Sequence, residues 1–514
     1  MRTDDLIFYQ IYPKSFCDSD GDGLGDIQGI RERIGYLKEL GITAVWITPC
    51  FESPEVDNGY DIADYRKIKD EMGGTELFKK LLDEFHENGI KVIVDLVANH
   101  TSTEHVWFQE SKKSKESPYR DYYIWRETPP NNWESTFGGS AWEYDENTKE
   151  YYLHSFAVEQ ADVNWENPKV RQEFRDIVDY WMAMGADGFR CDVLDLISKD
   201  LTSEENGSGP RLHEFIKELF DREPTKDAFT VGECWSSDQN NVKLFCGKER
   251  KELTTVFAMQ HLCLDNGRFC TKKPTLKELC KRMADWQDLT QGVDVCNTSF
   301  LENHDQPRSV SKFGNDREYR YESATLLGGL VLLQRGVPFL FQGQEIGMTN
   351  AEYTTFEQFN DVESVNYYQM NEGKIPAEER IACMNFGGRD NPRCLIPWTD
   401  KDRKSWITEY PRKSEVNVAK DLQSEKSVFK FYQKLIALRK AEKAIASGTF
   451  KKLALTDEYY VFERVYGEEK ITVICAFERG AENVINAYDG KIVLNNYDKV
   501  GDRLLPYQIV VKKA

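Results

Sequence analysis

Residues 170–192 read VRQEFRDIVDYWMAMGADGFRCD, and the reading of this stretch decides the fold. Residues 170–184 repeat apolar side chains at the spacing of one helical face, and residues 188–192 are a short apolar run of strand character. The pairing of helix and strand recurs in both directions. Short apolar runs at 8–12, 44–48, 92–96, 230–232, 256–259, 299–301 and 339–341 are separated by periodic segments such as 30–40, 76–88 and 211–220. Alternating strands and helices build a parallel sheet with helical crossovers, and eight strands are expected to close into a (β/α)8 (TIM) barrel, an α/β fold.

Two stretches break the rhythm. Residues 101–165 are rich in Trp, Tyr, Asn and Gly and lack a helical period, which predicts a small domain inserted after the third strand. Residues 349–424, after the eighth strand, are also non-periodic and longer than a loop without function. Both are expected to overhang one end of the barrel. Beyond an amphipathic helix near 428–440, the alternation in TVICAF, KIVLNNY and YQIVVKK predicts a C-terminal antiparallel β domain. The expected division is 1–100 with 166–442 for the barrel, 101–165 for the inserted domain and 443–514 for the C-terminal domain.

Composition narrows the partners. A net charge of -20 repels nucleic acid and anionic membrane and suits a neutral small-molecule substrate. No basic leader with an apolar core and no run of about 18 apolar residues is present, so neither secretion nor membrane insertion is expected. The 12 cysteines are scattered without a CxxC pair, which favours a reducing, cytoplasmic location. A monomer or weak oligomer is expected.

Polar residues gather where the strands stop: Asp95, Asn99 and His100 after the third, Arg190 and Asp192 at the fourth, Glu233 at the fifth, His304 and Asp305 after the seventh. In a (β/α)8 barrel these ends converge on the face that carries the active site. A histidine-rich metal site would need a spacing such as HExxH, which is not present. Glycoside hydrolysis fits better, because it needs one carboxylate to attack the anomeric carbon and a protonated one to serve the leaving oxygen. Asp192 follows Arg190 by two residues, so both side chains leave a strand on the same side and the cation is expected to keep the carboxylate ionised. Asp192 is therefore the expected nucleophile. Glu233, flanked by Cys234 and Trp235, is expected in a less polar setting that suits the general acid.

A separate motif lies near the N-terminus. Asp18, Asp20, Asp22 and Asp26 alternate with Gly21, Gly23 and Gly25, which puts oxygen ligands on a tightly turning loop, and the Leu24 carbonyl would add one more. A structural calcium ion is expected there, and no organic cofactor. Position 29 is Gly rather than the Glu of a complete EF-hand.

The segments DLVANH (95–100), GFRCD (188–192), VGE (231–233) and ENHDQ (302–306) resemble the four signature regions of the α-amylase superfamily, in family order. With YQIYPKSF, FQGQEIGM and GRDNPR (388–393), the pattern is similar to the oligo-1,6-glucosidase branch over about residues 5–441. The resemblance implies a retaining α-glucosidase with Asp192 as nucleophile, Glu233 as acid/base and Asp305 as a third carboxylate that grips sugar hydroxyls in the transition state. It also implies that His100, Arg190 and His304 hold the glucose in the innermost subsite. Asp57 and Tyr60 match residues that grip the far end of that glucose and stack under its ring. Phe137, Phe156, Gln160 and Arg389 match further pocket residues, and related enzymes often hold calcium at the aspartate loop. At 394–398 the chain reads CLIPW where the branch usually reads TPMQW, so the outer pocket wall is expected to differ.

Val193, directly after the nucleophile, is expected at the mouth of that subsite. Its stiff, branched side chain narrows the passage for a leaving sugar attached through a ring carbon, whereas a 1,6 link adds an exocyclic carbon and a rotatable bond. Members of the family that prefer 1,6 links tend to have Val here, which implies isomaltose-type substrates. The alternatives within the superfamily are an α-1,4-glucosidase, a trehalose-6-phosphate hydrolase and a sucrose-active enzyme. An alternative of another class is the non-catalytic transporter subunit, which lacks parts of the catalytic set and carries a membrane span.

Overall fold

β1 (Phe8–Ile11), β2 (Ala44–Ile47), β3 (Lys91–Val97), β4 (Gly188–Asp192), β5 (Phe229–Gly232), β6 (Thr255–Val256), β7 (Thr298–Ser299) and β8 (Val337–Phe341) form one sheet in the computed structural model, which describes residues 2–262, 264 and 267–514. Their spatial order is β6-β5-β4-β3-β2-β1-β8-β7, with every pair parallel. The circle is completed between β6 and β7 by side chains. Thr298 Oγ1 donates to Val256 O at 3.1 Å and accepts from Ala258 N at 2.9 Å, while Thr255 Oγ1 donates to Cys296 O at 2.9 Å. Hydroxyl groups take over where the backbones run too short for a ladder.

The strands are buried on both faces, which is why they read as apolar runs rather than alternating ones. Phe8, Trp46, Ile93, Phe229, Val231, Phe257, Phe300 and Phe339 make one cluster. Within it the Phe8 ring stacks on Phe339 with centroids 4.6 Å apart. A second, larger cluster includes Tyr9, Val45, Val94 and Leu340 together with Leu37, Leu81, Phe85, Phe174 and Trp181, so alternate strand residues pack on the surrounding helices. Helix Pro168–Met184 starts at an Asn167 cap whose side chain accepts from Lys169 N. It ends at Gly185, whose φ of 108° is a conformation that glycine adopts without strain.

Between β3 and β4 the chain leaves the barrel. His100–Ser102 and Gln160–Asp162 pair as an antiparallel neck, and a small sheet of Trp125–Arg126, Glu150–Leu153 and Trp142–Asp145 lies beyond it. The stretch after β8, read as non-periodic, contains helices Val362–Met370 and Ala377–Gly387. Both lack a clean apolar stripe: only Ser364 is buried in the first, and Arg380 is buried beside Cys383 and Met384 in the second. The two excursions meet, with Asn366 Nδ2 donating to Phe137 O at 3.1 Å and the Arg389 guanidinium 4.7 Å from the Phe137 ring. At the C-terminus, Thr449–Leu455, Tyr459–Tyr466, Glu469–Ala476, Ile509–Lys513 and Lys491–Asn495 form an antiparallel sheet in that spatial order. Buried Arg464 donates to Leu333 O at 2.9 Å and ties this sheet to the barrel.

Candidate active site

Strand register sets the site. On β4, Arg190 stands beside Asp95 of β3 and Val231 of β5, and Cys191 stands beside Gly232. Asp192 and Glu233 therefore leave neighbouring strands at adjacent levels, and Glu233 N continues the ladder to Cys191 O at 2.9 Å. The Arg190 guanidinium, buried below them, donates to Asp95 Oδ1 and Asp192 Oδ1, both at 2.7 Å, and to Glu233 Oε2. It lies 4.9 Å from the Trp46 ring, whose Nε1 donates to Asp95 Oδ2 at 2.7 Å. One cation thus serves three carboxylates.

Two local expectations change as a result. Arg190 does touch Asp192, but burial pushes the Asp192 carboxyl well above the usual carboxylate range. Arg190 opposes that shift, while Glu233, Asp95 and Asp305 add to it. Glu233 is not in an apolar setting: Oε2 faces Arg190, and Oε1 accepts from Trp235 Nε1 at 3.0 Å. A single guanidinium cannot neutralise three close carboxylates, and burial raises the Asp95 carboxyl as it does that of Asp192.

A cavity of about 130 Å³ opens above this floor, lined by Asp57, Tyr60, His100, Phe137, Phe156, Asp192, Val193, Glu233, His304, Asp305 and Arg389 among others. Those eleven are expected site residues. Gln160 and Arg190 stand behind the cavity instead. Gln160 Nε2 reaches Asp57 Oδ2 and His100 Nε2, both at 3.1 Å, so it braces two lining residues. Burial lowers His100 to about 4, so its ring is neutral at pH 7. His304 is fixed between Gln10 Nε2 at 2.8 Å and Asp305 Oδ2 at 3.0 Å, and its ring stacks on Tyr60 at 5.1 Å. Burial alone would raise Asp305, but His304, Arg389 and Arg393 overcome it and hold the carboxyl well below the usual range.

The far wall is an ion lattice that sequence reasoning did not assemble. Arg389 bonds Asp57 Oδ1 at 2.9 Å, Asp361 Oδ2 at 2.8 Å and Asp305 Oδ1 at 3.4 Å. Arg393 joins Asp361 and Asp305, both at 2.9 Å. Arg268 pairs with Glu363 at 3.0 Å, and both line the cavity with Thr136 and Trp235. Asp57, Asp305 and Arg389 were expected in the site, but Asp361, Glu363 and Arg268 carry no strand-end position or period that would single them out, and Arg393 is marked only as the close of the GRDNPR segment.

Val193 has φ 33° and ψ 46°, a left-handed conformation costly for a β-branched residue, at roughly 1–3 kcal/mol. Leu194 N holds Glu233 O at 2.9 Å and Leu196 N holds Val193 O at 2.9 Å, which fixes the turn and sets the Val193 side chain against the cavity. At the N-terminal loop, Asp18, Asp20 and Asp22 bring carboxylate oxygens within 4.8 Å of one another. Asp26 does not join that group. It caps the next helix, with Oδ1 accepting from Gly29 N at 2.7 Å and Oδ2 from Ser19 N at 2.8 Å. Leu24 lies in the same turn, its N donating to Asp22 Oδ1 at 2.7 Å. Among the described residues every cysteine is a free thiol, and no helix is long and apolar enough to cross a membrane.

The model of the alpha amylase catalytic domain matches residues 10–448, and the chain belongs to that family. It is a glycoside hydrolase of the α-glucosidase type. The oligo-1,6-glucosidase of Parageobacillus thermoglucosidasius is 43% identical over 533 residues, covering 96% of this chain and 94% of the relative. The crystal structure of Bacillus licheniformis trehalose-6-phosphate hydrolase superposes with a TM-score of 0.91 at 38% identity, covering 99% of each chain. A mutant of isomaltulose synthase from Erwinia rhapontici NX5, solved with sucrose, gives a TM-score of 0.93 at 35% identity over 99% of this chain and 98% of that one.

Proposed function

We propose that the enzyme removes single terminal glucose units from short oligosaccharides with retention of configuration, and that it prefers α-1,6 bonds. The observation that carries this reading is the pair Asp192 and Glu233 on adjacent strands, bridged by Arg190 at the floor of the pocket. Asp192 attacks C1 while Glu233 protonates the departing oxygen; Glu233 then takes a proton from the water that opens the glucosyl-enzyme. Asp95, Asp192 and Glu233 crowd around one cation, and of the three Glu233 is the carboxyl placed to serve the departing oxygen. Asp305, held ionised, accepts from sugar hydroxyls. Asp57, Tyr60 and Arg389 close the far end, so only a chain terminus fits. The cations that line the pocket, Arg268 and Arg389, are committed to carboxylates, which disfavours a phosphorylated sugar.

The 1,6 preference rests on Val193. Comparing kcat/KM for isomaltose, maltose, sucrose and trehalose 6-phosphate tests it. Isomaltose is expected to lead, and Val193→Ala is expected to narrow the isomaltose-to-maltose ratio by about tenfold, within the 1–3 kcal/mol that such a contact discriminates. Alanine keeps a Cβ in the same turn, so the change reports the side chain. A wild type that prefers maltose, or an unchanged ratio, refutes the preference.

The aspartate loop suits calcium as a structural ion: three carboxylates converge, and glycines at 21 and 23, with φ of 84° and 103°, allow the tight turn. Asp18, Asp20 and Asp22 would hold the ion, with the Leu24 carbonyl, and its role is to rigidify the turn. Chelation is expected to lower Tm by several degrees with calcium restoring it by mass action. An unchanged Tm and no bound metal refute the site. Free thiols throughout the described chain support a reducing, cytoplasmic setting.

A further inference from the structure

We propose that Trp235 is a positioning residue that sets the acidity of Glu233 through its indole N–H. This deepens the reading of Glu233 as the acid/base and rests on it.

The two oxygens of Glu233 are not equivalent. Oε2 faces the buried guanidinium of Arg190, with Val193 N at 3.5 Å, and a proton there would meet a cation and lose an acceptor. Oε1 accepts from Trp235 Nε1 at 3.0 Å. The transferable proton therefore belongs on Oε1, the oxygen that Trp235 touches.

Trp235 is an unusual partner. It is 45% exposed, the one tryptophan among the exposed large hydrophobic residues described, and it lines the cavity. An indole nitrogen is a donor only. It can stabilise Oε1 as an anion, or polarise the O–H bond of a protonated Oε1, but it cannot accept the proton. Its presence makes Glu233 a stronger acid in the first step, and it orients Oε1 toward the incoming water in the second. The charged and titratable groups around Glu233 are Arg190, Asp192, Asp195 and Cys234. Asp195 accepts from Ser236 N at 2.7 Å, which anchors the backbone on the other side of Trp235. Each of these groups is buried, so Trp235 is the donor to Glu233 that meets solvent.

Two substitutions separate the N–H from the ring. Trp235→Phe keeps an aromatic wall and removes the donor; Trp235→Gln keeps an N–H donor and removes the ring. With p-nitrophenyl α-glucoside as probe, the basic limb of kcat/KM against pH is expected to move up by about 0.5–1 unit in Trp235→Phe. It should lie nearer to wild type in Trp235→Gln, whose KM rises. Thermal melts of both variants verify folding. A limb that is unmoved in folded Trp235→Phe, or one that moves with loss of the ring rather than loss of the donor, overturns the proposal. Glu233→Gln assayed in parallel keeps the two readings apart: if it retains wild-type hydrolysis, the acid/base assignment itself is wrong.

Discussion

Asp192→Asn is expected to lower kcat by about 10⁴-fold or more, the scale on which a covalent nucleophile acts, while the protein becomes more stable at neutral pH. The two effects share one cause. Asp192 sits in a buried group of carboxylates that pushes its pKa up, so its charged form is disfavoured in the folded state. A group whose folded pKa lies above the unfolded value adds stability below the unfolded pKa, near 4 for Asp, and loses it as pH rises. The gain in Tm of Asp192→Asn over wild type should therefore grow from about pH 4 toward pH 8. Glu233→Gln should lose about 10²–10⁴-fold on isomaltose and less on an aryl glucoside, whose good leaving group needs little protonation. NMR of the first-formed sugar should show the α anomer, and azide should partly restore Asp192→Gly. An inverted product, or a Tm gap that is flat with pH, sinks this account.

The barrel was legible because parallel strands buried on both faces appear as unbroken apolar runs. Where a ladder is short, the apolar run misleads. The run at 256–259 predicts four strand residues, yet the ladder of β6 is Thr255–Val256, and Phe257 and Met259 continue as core filling while the backbone departs. The periodic segment 30–40 is likewise divided at Arg33 into helices Ile27–Glu32 and Ile34–Leu40. The catalytic residues were visible because strand ends announce themselves by a charged residue after an apolar run. The far wall was not, since Asp361 and Glu363 acquire meaning only when a long excursion folds back over the pocket. Trp235 was noticed only as an apolar neighbour of Glu233, although its N–H is a polar contact with it. Sequence adjacency showed its proximity but not which atom it presents.

Arg190→Met should be the most damaging single change on the pocket floor, with hydrolysis lost and stability reduced by about 3–5 kcal/mol near pH 8. Arg190 is 1% exposed and contacts Asp95, Asp192 and Glu233, so its removal leaves three buried carboxylates facing one another without a cation. Methionine fills similar space beside Trp46, so the loss reports charge more than volume. The sign with pH follows from the acids left behind. Burial already raises Asp95 and Asp192, and without Arg190 their folded pKa values rise further above the unfolded ones, so the native state binds more protons than the unfolded chain and stability falls as pH rises. The variant should melt closer to wild type at pH 5 than at pH 8. Adding Asp95→Asn removes one of the three charges and should recover part of the loss at pH 8, without recovering activity, because nucleophile and acid still lack their common partner. Urea melts of wild type, the single variants and the double variant at both pH values measure the coupling. Equal stability of Arg190→Met and wild type at pH 8 would show that the guanidinium is not what allows three carboxylates to share the floor of this pocket.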